Sequence, residues 1–312
     1  MTGQIVIVVN QVIIFTILMS IGFIAAKTNV LTKDALDSLS KLIVKIILPT
    51  LIFSIVASGV TAKEFLISGR FAIGVVLCFS LLILVGMVMS KLCQLKGKTA
   101  NIFVALTTFG NMGFMGIPLI LEIFKEPVAQ VCISIYTIID MALLWTFGVY
   151  LCSRHQKSSN SLSAVRNMIN PTTVALFIAF IVNIFKIPVP DLLMNLISGV
   201  GGTSKYLTLM YLGGALAYVS VEKVIKKPSI FVLPLGKMLI MPIIVYSLLG
   251  FFLPQTPRAI LTIIVGLPSM TTVAMIATSY QSDVEYATEM IFVTTLASII
   301  TIPIVSVITS MM

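Results

Sequence analysis

Apolar stretches of about 20 residues, the length an α-helix needs to cross the hydrocarbon core of a bilayer, recur along this 312-residue chain. Ten can be read, over 4–26, 36–58, 65–91, 99–122, 127–153, 168–186, 191–219, 229–253, 257–280 and 285–310. Hydrophobic residues make up 58% and charged residues 10%, against roughly 45–50% and about 25% in a soluble domain. One soluble core could not hide that much nonpolar surface, so the expectation is an all-α integral membrane protein with ten transmembrane helices. In the seventh run, Ser198-Gly199-Val200-Gly201-Gly202-Thr203 interrupts the pattern, and its start is expected as a separate short helix. The first run has no basic residue before it. It is also too long for a signal-peptide core, so it reads as a retained span.

Lys and Arg number 20 against 11 Asp and Glu, but they sit in short loops rather than in a basic stripe with interleaved aromatics, so nucleic acid is not an expected partner. With the N-terminus outside, the inner loops collect Lys27, Lys33, Lys91, Lys96, Lys98, Arg154, Lys157, Arg166, Lys223, Lys226 and Lys227. The outer loops hold Lys63, Lys125, Lys186 and Arg258, with Arg70 near an outer end. The positive-inside rule therefore places both termini outside, as expected of a multi-pass protein of the cell membrane. The polar 154–167 segment reads as a cytoplasmic linker between two halves, 1–153 and 168–312. Cys78, Cys93, Cys132 and Cys152 are scattered and form no CxxC, and read as small packing residues.

Five spans per half is odd, so a repeated second half must lie inverted. Weak internal similarity at a separation of about 158–160 residues supports this, bringing 110–116 onto 268–274, Pro49 near Leu207 and Lys45 near Lys205. Both segments so aligned are broken inside an apolar span. The first reads Gly110-Asn111-Met112-Gly113-Phe114-Met115-Gly116-Ile117-Pro118 and the second Gly266-Leu267-Pro268-Ser269-Met270-Thr271-Thr272. Glycine loosens a helix and proline lacks the N–H that a continuous one uses. A break at mid-membrane depth is tolerable only against protein or a watery cavity, and paired interrupted spans point to a carrier's substrate site. Half-helices starting there would turn free N–H groups and a partial positive charge toward an anion. Expected substrate-binding residues are Gly110, Asn111, Met112, Gly113, Pro268, Ser269, Met270 and Thr271. The competing reading is that glycine and proline merely allow close helix packing.

The stretch Asn111 to Leu119 (NMGFMGIPL), and Leu267-Pro268 followed by Tyr280, resemble signature segments of the auxin efflux carrier family, which includes plant auxin exporters and bacterial malonate-type carriers. The likeness spans essentially the whole chain, down to a closing Thr301-Ile302-Pro303. It implies two inverted five-helix repeats whose broken fourth and ninth helices cross at the substrate site, an architecture shared with sodium symporters of the bile-acid type. It further implies that Asn111 touches a substrate carboxylate and that Pro268 marks the second crossing. Gly110 is a departure, since the plant exporters carry proline there.

Asp140 lies in the middle of the fifth span, where an ionised carboxylate costs about 3 kcal/mol on insertion scales. Gln130, Ser134, Thr137 and Asp140 form a polar stripe, and on the repeat Asp140 falls near Ser298, among Thr294 and Thr301. Asp140 reads either as a coupling carboxylate or as a structural Asp bonded to a neighbouring helix. Lys237, deep in the eighth span, reads as a partner for Asp140 or for an anionic substrate. Lys41 and Lys45 read as snorkelling to the inner surface, and Glu289, within about two turns of the inner end of the tenth span, reads as a case similar to Lys237.

No cofactor is expected, with proton or sodium coupling left open. Gly97-Lys98-Thr99 lacks the first glycine of a phosphate loop. The single His155 sits outside any cluster with metal-ligand spacing, and HExxH and GxSxG do not occur. The expectation is a secondary carrier, an exporter of small carboxylates rather than an enzyme, bound to lipid and to a small organic anion, with a homodimer left open. Rivals are a sodium-coupled symporter of the bile-acid type, a non-transporting membrane sensor and a membrane-embedded enzyme.

Overall fold

The computed structural model describes residues 2–59, 69–155, 171–218 and 227–311. Residues 156–167 of the expected linker, and Lys63, Lys157, Arg166, Lys223 and Lys226 among the loop residues, lie outside the described residues. Everything regular among the described residues is helical. In chain order the helices are α1 (Thr2–Lys27), α2 (Lys33–Leu42), α3 (Leu48–Gly59), α4 (Gly69–Leu92), α5 (Gly97–Thr108), α6 (Ile117–Ile123), α7 (Pro127–Leu143) and α8 (Val149–Ser153). The second half holds α9 (Pro171–Ile184), α10 (Asp191–Gly202), α11 (Ser204–Leu216), α12 (Ser229–Leu233), α13 (Met241–Leu249), α14 (Gln255–Val265), α15 (Thr271–Ser279) and α16 (Val284–Met311).

Wide π turns over Ile43–Ile47, Met112–Gly116, Leu144–Gly148 and Pro234–Ile240 join successive helices. Three of the four end two residues before a proline. Leu48 N–H bonds back to Ile43, Ile117 to Met112 and Met241 to Gly236, ahead of Pro49, Pro118 and Pro242. A proline ring clashes with the carbonyl four residues earlier and offers it no N–H. Widening the preceding turn relieves both problems without ending the helix.

Five of the resulting rods are long and apolar enough to cross a membrane among the described residues: Lys33–Ala57, Gly69–Leu92, Pro127–Ser153, Ser229–Leu249 and Val284–Ile308. The seventh apolar run divides at Thr203 into α10 and α11, so its start is indeed a separate helix. The runs at 99–122 and 257–280 are each split into two helices, α5 with α6 and α14 with α15.

Close backbone approach determines where helices meet. A Cβ on Gly22 would stand 1.9 Å from the Met210 carbonyl oxygen, and one on Gly213 would stand 1.8 Å from that of Met19. Small residues let α1 and α11 pack backbone to backbone, the device by which membrane helices associate without a hydrophobic driving force. Helix ends are tied as well. Lys27 Nζ donates to Ala217 O (3.1 Å) beyond the end of α11, and Asn183 Nδ2 donates to Val56 O (3.0 Å) at the end of α3. At another edge, Lys98 Nζ bonds Gln281 O (2.9 Å), Thr99 Oγ1 bonds the Asp283 carboxylate, and Lys227 pairs with the buried Glu289. Asp283 also caps α16 through the Tyr286 N–H.

Candidate functional site

Both broken spans come together inside the bundle. α5 stops at Thr108, where Phe109 turns extended, and α14 stops at Val265 ahead of Gly266. Asn111 N–H then donates to Pro268 O (2.8 Å), and Met270 N–H to Phe109 O (3.1 Å), so that Gly110 and Ser269 sit opposite each other as a one-rung antiparallel ladder. Proline is tolerated at 268 because this pairing uses only its carbonyl. Each break thereby supplies partners for backbone groups that the other leaves open, so the breaks face protein, one of the two settings in which such a break is tolerable.

Asn111 is the centre of an inverse γ-turn. Its φ of −75° and ψ of 60° match that minimum, and Met112 N–H closes the turn on Gly110 O (2.7 Å). The chain then enters the π turn, with Pro118 in the first turn of α6, where a missing N–H is harmless. Gly116 has a packing reason to be glycine, since a Cβ there would lie 2.6 Å from the Leu267 side chain across the ladder.

Gly110, Asn111, Met112, Gly113, Pro268, Ser269, Met270 and Thr271 are all buried. The Asn111 amide is 0% exposed and neither its nitrogen nor its oxygen has a hydrogen-bond partner among the described residues. Ser269 is fully engaged: its N–H donates to Thr294 Oγ1 (3.1 Å) and its hydroxyl to Leu106 O (2.9 Å). Thr271, the first residue of α15, reaches a cavity of about 410 Å³. Asp37, Ser40 and Lys41 of α2, Tyr211 of α11, and Thr288 and Thr295 of α16 complete its polar lining. Lys41 is thus not simply a surface lysine, and Tyr211 carried no polar signal because an isolated tyrosine in an apolar run is ordinary packing material. The first turn of α15 has N–H groups with no intrahelical acceptor, and it opens beside this space.

Asp140 of α7 is also 0% exposed, with both carboxylate oxygens unbonded among the described residues. Ser134 and Thr137 share its buried face, whereas Gln130, the outer end of the expected stripe, is exposed. Lys237 lies in the π turn after α12. Its Nζ donates to Leu106 O (2.6 Å) and Phe109 O (2.8 Å). Lys237 therefore caps the end of α5 and does not bond the Asp140 carboxylate. Glu289, unlike Asp140, has a partner in Lys227.

The sequence model of a family described as "Membrane transport protein" matches residues 7–306. No curated protein matches the chain.

Proposed function

Because the chain belongs to the auxin efflux carrier family of membrane transport proteins, we propose that it is a secondary carrier of small organic anions, carboxylates above all, that exports them across the cell membrane by alternating access around the paired breaks. The observation that carries this is Asn111. An amide buried without a partner costs about 1–3 kcal/mol, and this one stands at the meeting of two broken helices, where a carboxylate would complete it. The 410 Å³ cavity is in the range that holds a small ligand. Lys41 lines it together with Asp37 one helical turn away, and the first turn of α15 offers an anion N–H groups with the positive end of the helix dipole.

The mechanism rests on an inverted repeat, with ten spans arranged as 1–153 and 168–312. Gly110 and Ser269, which face each other in the ladder, are 159 positions apart, the separation that relates the halves. The helix-end ties repeat in the same way. Lys27 of α1 caps the end of α11, and Asn183 of α9 caps the end of α3. α1 packs chiefly on α11 and α9 chiefly on α3, the exchange expected of two interlocked, inverted units. In this reading the bundle holding the breaks, with α7, α8, α12, α13 and α16, shifts against a scaffold of α1–α3 and α9–α11. Asp140 and Lys237 are the coupling residues on the moving side, and both termini face outward.

A thermal-shift screen of the purified protein against mono- and dicarboxylates, paired with flux in proteoliposomes, tests the proposal. The expected result is stabilisation and transport of at least one acid, both lost in Asn111→Ala. If no acid in the panel stabilises the protein and none is transported, the reading is wrong.

A further inference from the structure

Lys237 is the only fully buried lysine among the described residues, and its surroundings have the composition of a cation site. Its ammonium bonds two main-chain carbonyls, Leu106 O at 2.6 Å and Phe109 O at 2.8 Å. Both belong to the end of α5, where the last carbonyls have no intrahelical donor and carry the negative end of the dipole. The Ser269 hydroxyl reaches the same Leu106 oxygen from the other break. Carbonyls at the unwound ends of half-helices are what carriers use to hold a coupling Na⁺. Here a side chain delivers the charge instead. Pro234 and Gly236 lie in the π turn that carries Lys237, and α12, α13 and their joining turn hold it from a separate rod.

We propose that Lys237 is a tethered cation filling a latent monovalent-cation site built on the carbonyls of Leu106 and Phe109. With the ammonium in place, a free sodium ion has neither room nor net attraction there. Shortening the side chain leaves an electronegative cage that takes up a small cation. One consequence rests on the carrier reading given above: carboxylate flux by the native protein does not depend on sodium.

The test measures melting of purified protein in three chloride salts at equal ionic strength: N-methylglucamine, sodium and methylammonium. Lys237→Ala is expected to melt below the native protein in N-methylglucamine and to rise by about 3 °C or more in sodium or methylammonium. The native protein is expected to stay within about 1 °C in all three salts. Lys237→Gln keeps a neutral donor over the carbonyls and so a better prospect of folding. It is expected to melt below the native protein, because the helix end has lost its charge. Three results would each overturn the inference: an alanine variant equally stable, or equally aggregated, in every salt; a native protein that sodium stabilises; or a glutamine variant matching the native melting temperature. A native protein that carries no carboxylate would undo the transport reading alone, since the melting measurements need no flux.

Discussion

A buried polar side chain can serve stability or serve a ligand, and Asn111 separates the two. Its amide is sealed from solvent and bonded to nothing among the described residues, so replacing it with an apolar residue of similar size removes an unpaired group. Asn111→Leu is therefore expected to melt at or above the temperature of the native protein when no ligand is present, by up to about 1 kcal/mol of added stability. The same variant should show no thermal shift with the acid that stabilises the native protein. A drop in ligand-free stability would mean the amide has a structural role. Asp140 divides the same way. If it couples transport to protons, Asp140→Asn gives flux that no longer varies with pH across a proteoliposome titration, whereas unchanged rates and an unchanged profile would assign the residue to structure. Lys237 contrasts with both because its hydrogen bonds are already made.

Helices in this protein are shaped by local chemistry and placed by close packing. The prolines at 49, 118 and 242 each follow a widened turn, so these rods bend without stopping. The consequence is positional: Lys45 and Lys237 sit inside such turns, and Asn111 sits at the entrance to one. Packing between rods depends on missing atoms. Gly213→Ala places a methyl group against the Met19 carbonyl and should force α1 and α11 apart, at a cost of about 1–3 kcal/mol read as a lower unfolding temperature. Gly199 in α10 has nothing within 4 Å of its would-be Cβ. Gly199→Ala is expected to be neutral or to stabilise by about 0.5–1 kcal/mol, from helix propensity alone. Equal losses for the two variants would show that the α1–α11 seam is not the tight contact described.

As a whole molecule this is a multi-pass membrane transporter, and its orientation is open to direct measurement. Of its cysteines, Cys78, Cys132 and Cys152 are buried and Cys93 is partly exposed in the turn after α4. With the termini outside, an impermeant maleimide added to intact cells should label Lys125→Cys at once and reach Cys93 only after permeabilisation. The opposite pattern would invert the topology. The same frame accounts for the ties at one edge, where Lys98, Thr99 and Lys227 reach Gln281, Asp283 and Glu289. They bind the starts of α5 and α12 to the start of α16, so that the two breaks and the buried lysine are carried on elements fastened together.

The positions of the five membrane-length helices, the sites of both breaks and the excess of basic charge in one set of loops were legible in the residues themselves. Each depends on local quantities: twenty apolar side chains to match a bilayer, a proline without an N–H, a lysine that stays on the side where it is made. Which groups the broken ends would meet was not legible. Asn111 N–H finds the Pro268 carbonyl, and Lys237 finds Leu106 and Phe109 from about 130 positions away. No periodicity carries such a pairing. Only the packing of the folded rods brings an open carbonyl and a buried ammonium to the same point, where the absence of water forces each to take the other.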